Sequence, residues 1–217
     1  MKVNSDRYVV AWVPPSGTRL AERGADWMGW CPESGQGTGG LDPVAARGLH
    51  APLVAPFRLP RNVSSYMLHD VLSDLAFNLP SIGQVKFRVT AGSDGPMLIS
   101  IVGGDRWRAT AVHVATAIHE LGGGMPLHTV SMQLDICDCP ECAGATLSVA
   151  REHFAEALKH PVMVGDLALL SEPGDGRPWK VVDRFELCDG HQEIPHVPAL
   201  ECLGPRLMTP LAGVSAG

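Results

Sequence analysis

With 217 residues, 45% of them hydrophobic and 18% charged, the chain has a globular composition and room for one large domain or two half-sized lobes. Its 17 basic and 23 acidic residues give a net charge of -6, which argues against broad capture of a nucleic-acid backbone and favours a small ligand. No apolar run is long enough to cross a bilayer, and Lys2, Asp6 and Arg7 stand where a secretory signal needs an apolar core; a cytoplasmic protein with thiol cysteines and no membrane partner is expected.

Taken in chain order, "RYVVAWV" (7–13) is a β-rich run stopped by Pro14 and Pro15, and the Gly-, Pro- and Trp-rich stretch to about residue 47 reads as irregular. "GLHAPLVAPFRL" (48–59) reads as a strand with His50 near its start. Val63, Met67, Leu68, Val71, Leu72, Leu75 and Leu79 then recur at helical spacing behind the cap residue Asn62, with His69 and Asp70 off the apolar stripe. "QVKFRVT" and "PMLISIV" around "AGSDG" predict a hairpin. A second helix, from about Asp105 to Leu121, buries Trp107, Ala111, Val114, Ala115 and Ile118 and stops at the glycines 122–124.

The same order of parts then returns. "LHTVSMQLDI" is a strand carrying His128, "TLSVAREHFAEALKH" is a helix, and "VMVGDLALLSE" with "WKVVDRFEL" flank "PGDGRP" as a hairpin. Two passes through histidine strand, helix and hairpin predict an α/β (α+β) protein of two pseudo-symmetric lobes. Each lobe would hold an antiparallel-rich sheet with flanking helices, around a central cleft. The bilobal domain would cover residues 1–188, with halves of roughly 1–104 and 105–188 that could exchange strands; residues 189–217, with four prolines and no periodicity, read as an extended tail.

In such a duplicated arrangement His50 and His128 occupy equivalent places. Displacement at phosphorus needs a base on one side and an acid on the other, and two imidazoles that titrate near neutrality supply both. A lone strand histidine is more often structural than catalytic; it is the repeat that singles out this pair. The seven other histidines lack that context.

The runs "RYVVAWVPP", "WMGWCPESG", "GLHAPLVAPFRL" and "VGDLALLSEPGDGRPWKVVDRFEL" resemble the two-histidine (2H) phosphoesterases, and more narrowly a branch associated with phosphonate metabolism, over most of residues 7–188. The resemblance implies a bilobal hydrolase of phosphoric diesters, His50 and His128 as its proton-transfer pair, and a small phosphorylated or cyclic-phosphate substrate, with no cofactor needed for the chemistry. Arg7, Tyr8, Arg58 and Ser131 are the candidate ligand holders. In the superfamily each histidine is followed two residues later by Thr or Ser, whose hydroxyl grips phosphate. Here those places hold Pro52 and Val130, Ser131 would need a bulge to turn inward, and Val54 stands where the branch often has lysine. Losing one such donor typically costs about 10²–10³ in rate, so a relative that binds a small anionic ligand, or runs another acid–base reaction, is the alternative.

"CDCPEC" crowds Cys137, Cys139 and Cys142 into six residues, and "CDGH" adds Cys188 and His191. Clustered thiolates repel unless a cation neutralises them, so a structural zinc ion is a candidate cofactor, weighed against a loop of free thiols.

Overall fold

The computed structural model describes residues 7–37, 47–91, 97–102, 104–122, 131–133, 143–172 and 177–188. They form a mixed α/β structure with two four-stranded antiparallel sheets and four helices. None of these helices is long and apolar enough to cross a membrane.

Strand β1 (Arg7–Trp12) lies inside sheet A, between β9 (Asp166–Glu172) and β4 (Ala51–Pro52), with β10 (Lys180–Glu186) beyond β9. An inner strand buries both faces, which is why its apolar residues run on without alternation. Tyr8, Val10 and Trp12 enter the main core, while Val9, Ala11 and Val13 join Ala168, Leu170 and Trp179 in a second cluster on the other face. Sheet B has the order β7 (Ser131–Gln133), β6 (Met97–Val102), β5 (Gly83–Ala91), β8 (Val162–Val164). Val85, Phe87, Val89 and Ile99 take that sheet into the same main core. There Trp12 of sheet A stacks on Phe87 of sheet B, with centroids 5.4 Å apart and planes at 13°. Offset-stacked rings add about 0.5–1.5 kcal/mol beyond the area they bury.

Five expectations need correction. The stretch after Pro15 is ordered: helix α1 (Arg19–Met28) begins at Thr18, whose Oγ1 accepts from the Ala21 amide at 3.2 Å, and ends at Gly29 in the left-handed region. Leu20, Gly24 and Met28 form its buried stripe at four-residue spacing, and a Cβ on Gly24 would meet the Leu49 Cβ at 2.8 Å. A small hairpin, β2 (Trp30–Cys31) with β3 (Gln36–Gly37), follows. Few apolar residues mark this stripe and one of them is glycine, so its periodicity is faint in the sequence.

The run 48–59 is not one long strand. Only Ala51 and Pro52 pair with β1 as a ladder; the Leu53 and Val54 amides then both reach the Val10 carbonyl, and contact resumes at the isolated Tyr8–Phe57 bridge. Two amides on one carbonyl mark an irregularity that Pro52 and Pro56, without amide hydrogens, cannot repair.

The helix α2 (Ser65–Asn78) is capped by Ser64, whose Oγ accepts from the Met67 amide, rather than by Asn62, and it buries Leu68, Leu72 and Ala76. Helix α3 (Asp105–Glu120) matches expectation, whereas α4 (Ala143–Phe154) starts earlier than its apolar spacing implies and gives way to turns after the fully buried Phe154.

Finally, "VMVGDLALLSE" is two strands in two sheets. Residues 162–164 pair with β5 in sheet B, and after Gly165 residues 166–172 pair with β1 in sheet A. Neither sheet is therefore made from one contiguous half: the hairpin β5–β6 takes β7 as a neighbour, and the hairpin β9–β10 takes β1 and β4.

Candidate functional site

The two motif strands, β4 and β7, are the edge strands of their sheets and lie against each other. Ala51 is fully buried in the main core, whereas His50 and Pro52 on either side of it are half-buried.

The local sequence explains how His50 is held. Gly48 adopts φ +64, and a Cβ there would meet the Pro32 ring at 2.4 Å, so only glycine passes under the β2–β3 hairpin. That hairpin is itself tied to sheet A by the Trp30 Nε1–H donating to the Trp179 carbonyl at 2.6 Å and the Val181 amide donating to Pro32 at 2.9 Å. The turn at Gly48 sets its carbonyl 3.0 Å from His50 Nδ1. A carbonyl can only accept, so Nδ1 carries the hydrogen and, in the neutral ring, Nε2 keeps its lone pair. Burial pushes the His50 pKa below 6.5; the Gly48 hydrogen bond opposes this and the positive charge of Arg47 adds to it. The His50 ring is thus held toward its neutral form, with the lone pair on Nε2.

Arg7, Tyr8 and Arg58 do not gather around it. Ala51 is opposite Trp12, whereas Phe57 is opposite Tyr8, so these three sit at the other end of β1. Five residues of strand span about 17 Å, too far for one phosphate group. Arg7 pairs with Glu172 at 3.0 Å and lies 5.8 Å from the Trp179 ring centre, and Tyr8 is buried in the core against Phe57. Ser131 opens β7, opposite Ser100, which in turn is opposite Arg88 of β5.

His128, Cys137, Cys139, Cys142 and His191 lie outside the described residues. Cys188 is a thiol whose backbone joins the end of α2, its amide donating to Leu79 and its carbonyl accepting from Ser81. Among the described residues no group of three or more metal-ligating side chains comes together.

Sequence reading missed two clusters near sheet A. Arg184 of β10, opposite Ala168 of β9, donates from Nε to both Glu33 oxygens at 3.0 and 2.9 Å, and from its terminal nitrogens to Glu33, Asp166 and the Val13 carbonyl. Burial alone would lower its pKa, but the two carboxylates outweigh it and hold the guanidinium above its ordinary value. His69 of α2 pairs through Nε2 with Asp183 of β10 at 2.9 Å, edge-on to Phe185. Neither partnership has a sequence signal, since the partners are far apart along the chain.

No family model and no curated protein matches the chain. Among solved structures it is similar to LigT of E. coli, a 2H phosphoesterase crystallised as a complex with NADP+: the two are 16% identical, the match covers 84% of this chain and 97% of that chain, and the TM-score is 0.46.

Proposed function

We propose that this chain is a diverged 2H-phosphoesterase-like protein that acts on a small phosphorylated or cyclic-phosphate metabolite, related to the branch associated with phosphonate metabolism. The observation that carries this reading is the meeting of β4 and β7. Two strands some eighty residues apart, each beside a histidine in sequence, become the facing edges of two sheets at one seam. In this proposal His50 Nε2 takes a proton from an attacking water whose oxygen bonds to phosphorus. His128 gives a proton to the alkoxide oxygen released when the ring P–O bond breaks, so the products are a phosphomonoester and two histidines with exchanged protonation. The next turnover requires the two protons to return through solvent.

A second reading has its own support. Pro52 stands where a hydroxyl would hold phosphate, and it offers neither a hydroxyl nor an amide hydrogen. A relative that binds a small anion without turning it over fits those features. The His50→Gln variant decides between the two. Under the catalytic reading, hydrolysis of a nucleoside 2′,3′-cyclic phosphate drops by about 10²-fold or more while its binding persists. Wild-type protein that binds this probe and returns it unaltered supports the second reading.

A further inference from the structure

Helix α2 is apolar on two sides. Leu68, Leu72 and Ala76 are buried, while on the opposite side Tyr66 is 81% exposed, Phe77 is 77% exposed and Met67 is nearly half exposed. Tyr66 and Phe77 are separated by almost whole turns of helix, so they stand nearly in line on one face, about 16 Å apart. Two aromatic rings and a methionine on one open helix face form a patch, unlike apolar residues exposed singly.

The chain returns to this place. At the end of the described residues the Cys188 amide donates to the Leu79 carbonyl at 2.9 Å and to that of Ala76 at 3.3 Å, and its carbonyl accepts from the Ser81 amide at 2.9 Å. Ala76 directly precedes Phe77, so residues 189–217, which lie outside the described residues, begin where the open face of α2 ends. Their sequence follows neither a helical nor a strand period, yet Ile194, Val197, Leu200 and Leu203 recur at every third position, and Pro195 and Pro198 follow the first two. A residue before proline is pushed to extended or polyproline II backbone, and in polyproline II every third side chain shares one side. From Ile194 to Leu200 such a ridge would measure about 19 Å, close to the Tyr66–Phe77 line. Residues 189–193 can bridge up to about 17 Å at full extension, enough to bring Ile194 to Phe77.

We propose that residues 194–203 dock antiparallel along the open face of α2, with Ile194 toward Phe77 and Leu200 toward Tyr66 and Met67. Aromatic surfaces suit proline-rich segments, because flat rings pack on pyrrolidine faces and the stiff segment loses little entropy on binding. A short tether also presents the segment at an effective concentration of about millimolar, so weak contacts suffice to hold it.

The test uses the full chain carrying Phe77→p-benzoylphenylalanine, irradiated and mapped by peptide mass spectrometry. An intramolecular adduct to residues 194–203 is expected, and Ile194→Asp/Val197→Asp/Leu200→Asp should lower its yield about 10-fold or more. A covalent dimer whose yield rises with protein concentration would assign the face to a second copy and overturn the inference. Adducts that avoid residues 194–203, or a yield unchanged by the three aspartates, overturn it as well. A second measurement keeps the native contact in the reference protein: proteinase K should remove the tail about 10-fold faster from Tyr66→Ser/Phe77→Ser than from wild type, and equal rates refute the docking. Both substituted positions on α2 are exposed, so the core is left intact, and circular dichroism melting checks that the variants fold.

Discussion

The Gly48 carbonyl stands 3.0 Å from His50 Nδ1, and it can stand there only because Gly48 has no side chain to strike Pro32. One backbone oxygen thereby fixes which nitrogen of the ring carries hydrogen and which is left basic. Gly48→Ala brings both a left-handed backbone penalty and a clash, so unfolding in urea should show a loss of about 1–3 kcal/mol. In the fraction that remains folded, turnover of a cyclic phosphate should fall at least 10-fold. Wild-type stability in this variant would show that the turn is not constrained as described.

Burial of His50 predicts a pH-dependent stability whose sign follows from proton linkage. The folded-state pKa lies below 6.5, so as pH falls through 6.5 the unfolded chain takes up a proton that the folded protein refuses. Stability contributed by the neutral ring is full above 6.5, declines as pH drops toward the folded pKa, and is gone below it. Urea denaturation between about pH 5 and pH 8 should therefore give a steeper slope for wild type than for His50→Gln. Identical slopes would mean that His50 titrates as it does in the unfolded chain.

Arg184 gathers Glu33, Asp166 and the Val13 carbonyl, joining the β2–β3 turn to two strands of sheet A. Its side chain and those of both acids are only about a fifth exposed. Removing the cation strands two carboxylates, and Arg184→Met should cost about 3 kcal/mol in denaturant unfolding. Adding Glu33→Gln and Asp166→Asn to that variant should recover part of the loss, because the unpaired charges disappear with it. Failure of the triple variant to recover would show that packing of the arginine stem dominates.

His69 Nε2 lies 2.9 Å from an Asp183 carboxylate oxygen, a contact between α2 and β10 that remains nearly half exposed on both sides. Exposed pairs contribute little, and His69→Ala should lower stability by no more than about 1 kcal/mol, with the effect shrinking at high salt. A larger, salt-independent loss would point instead to the edge contact of the ring with Phe185.

The Trp12–Phe87 stack is the joint between the sheets at the core. Trp12→Ala removes a fully buried ring and should cost about 3–5 kcal/mol. If it costs under about 1 kcal/mol, the two sheets are held by other contacts.

Local pattern was enough to read several elements from the chain. The buried stripe of α3, the alternation of β5 and the hairpin to β6 follow from periodicities of 3.6 and 2, which depend on neighbours a few residues away. Helix α1 was not read in this way, because its stripe includes Gly24, whose value lies in letting Leu49 approach rather than in any apolar surface of its own. Likewise nothing in "VMVGDLALLSE" says that Gly165 hands the chain from one sheet to the other.

What the sequence determined by itself was the buried stripes of α2 and α3, the pairing of β5 with β6 and the proline at position 52, because each is a property of residues close along the chain. Tertiary structure alone decided that β4 meets β7, that Arg7 and Tyr8 sit at the far end of β1 from His50, and that Cys188 joins the end of α2. Strand pairing joins segments up to some 160 residues apart, and the hydrogen-bonding groups that do so are the same in every residue but proline. The register is set by which apolar faces can be buried together, and only the folded chain contains that information.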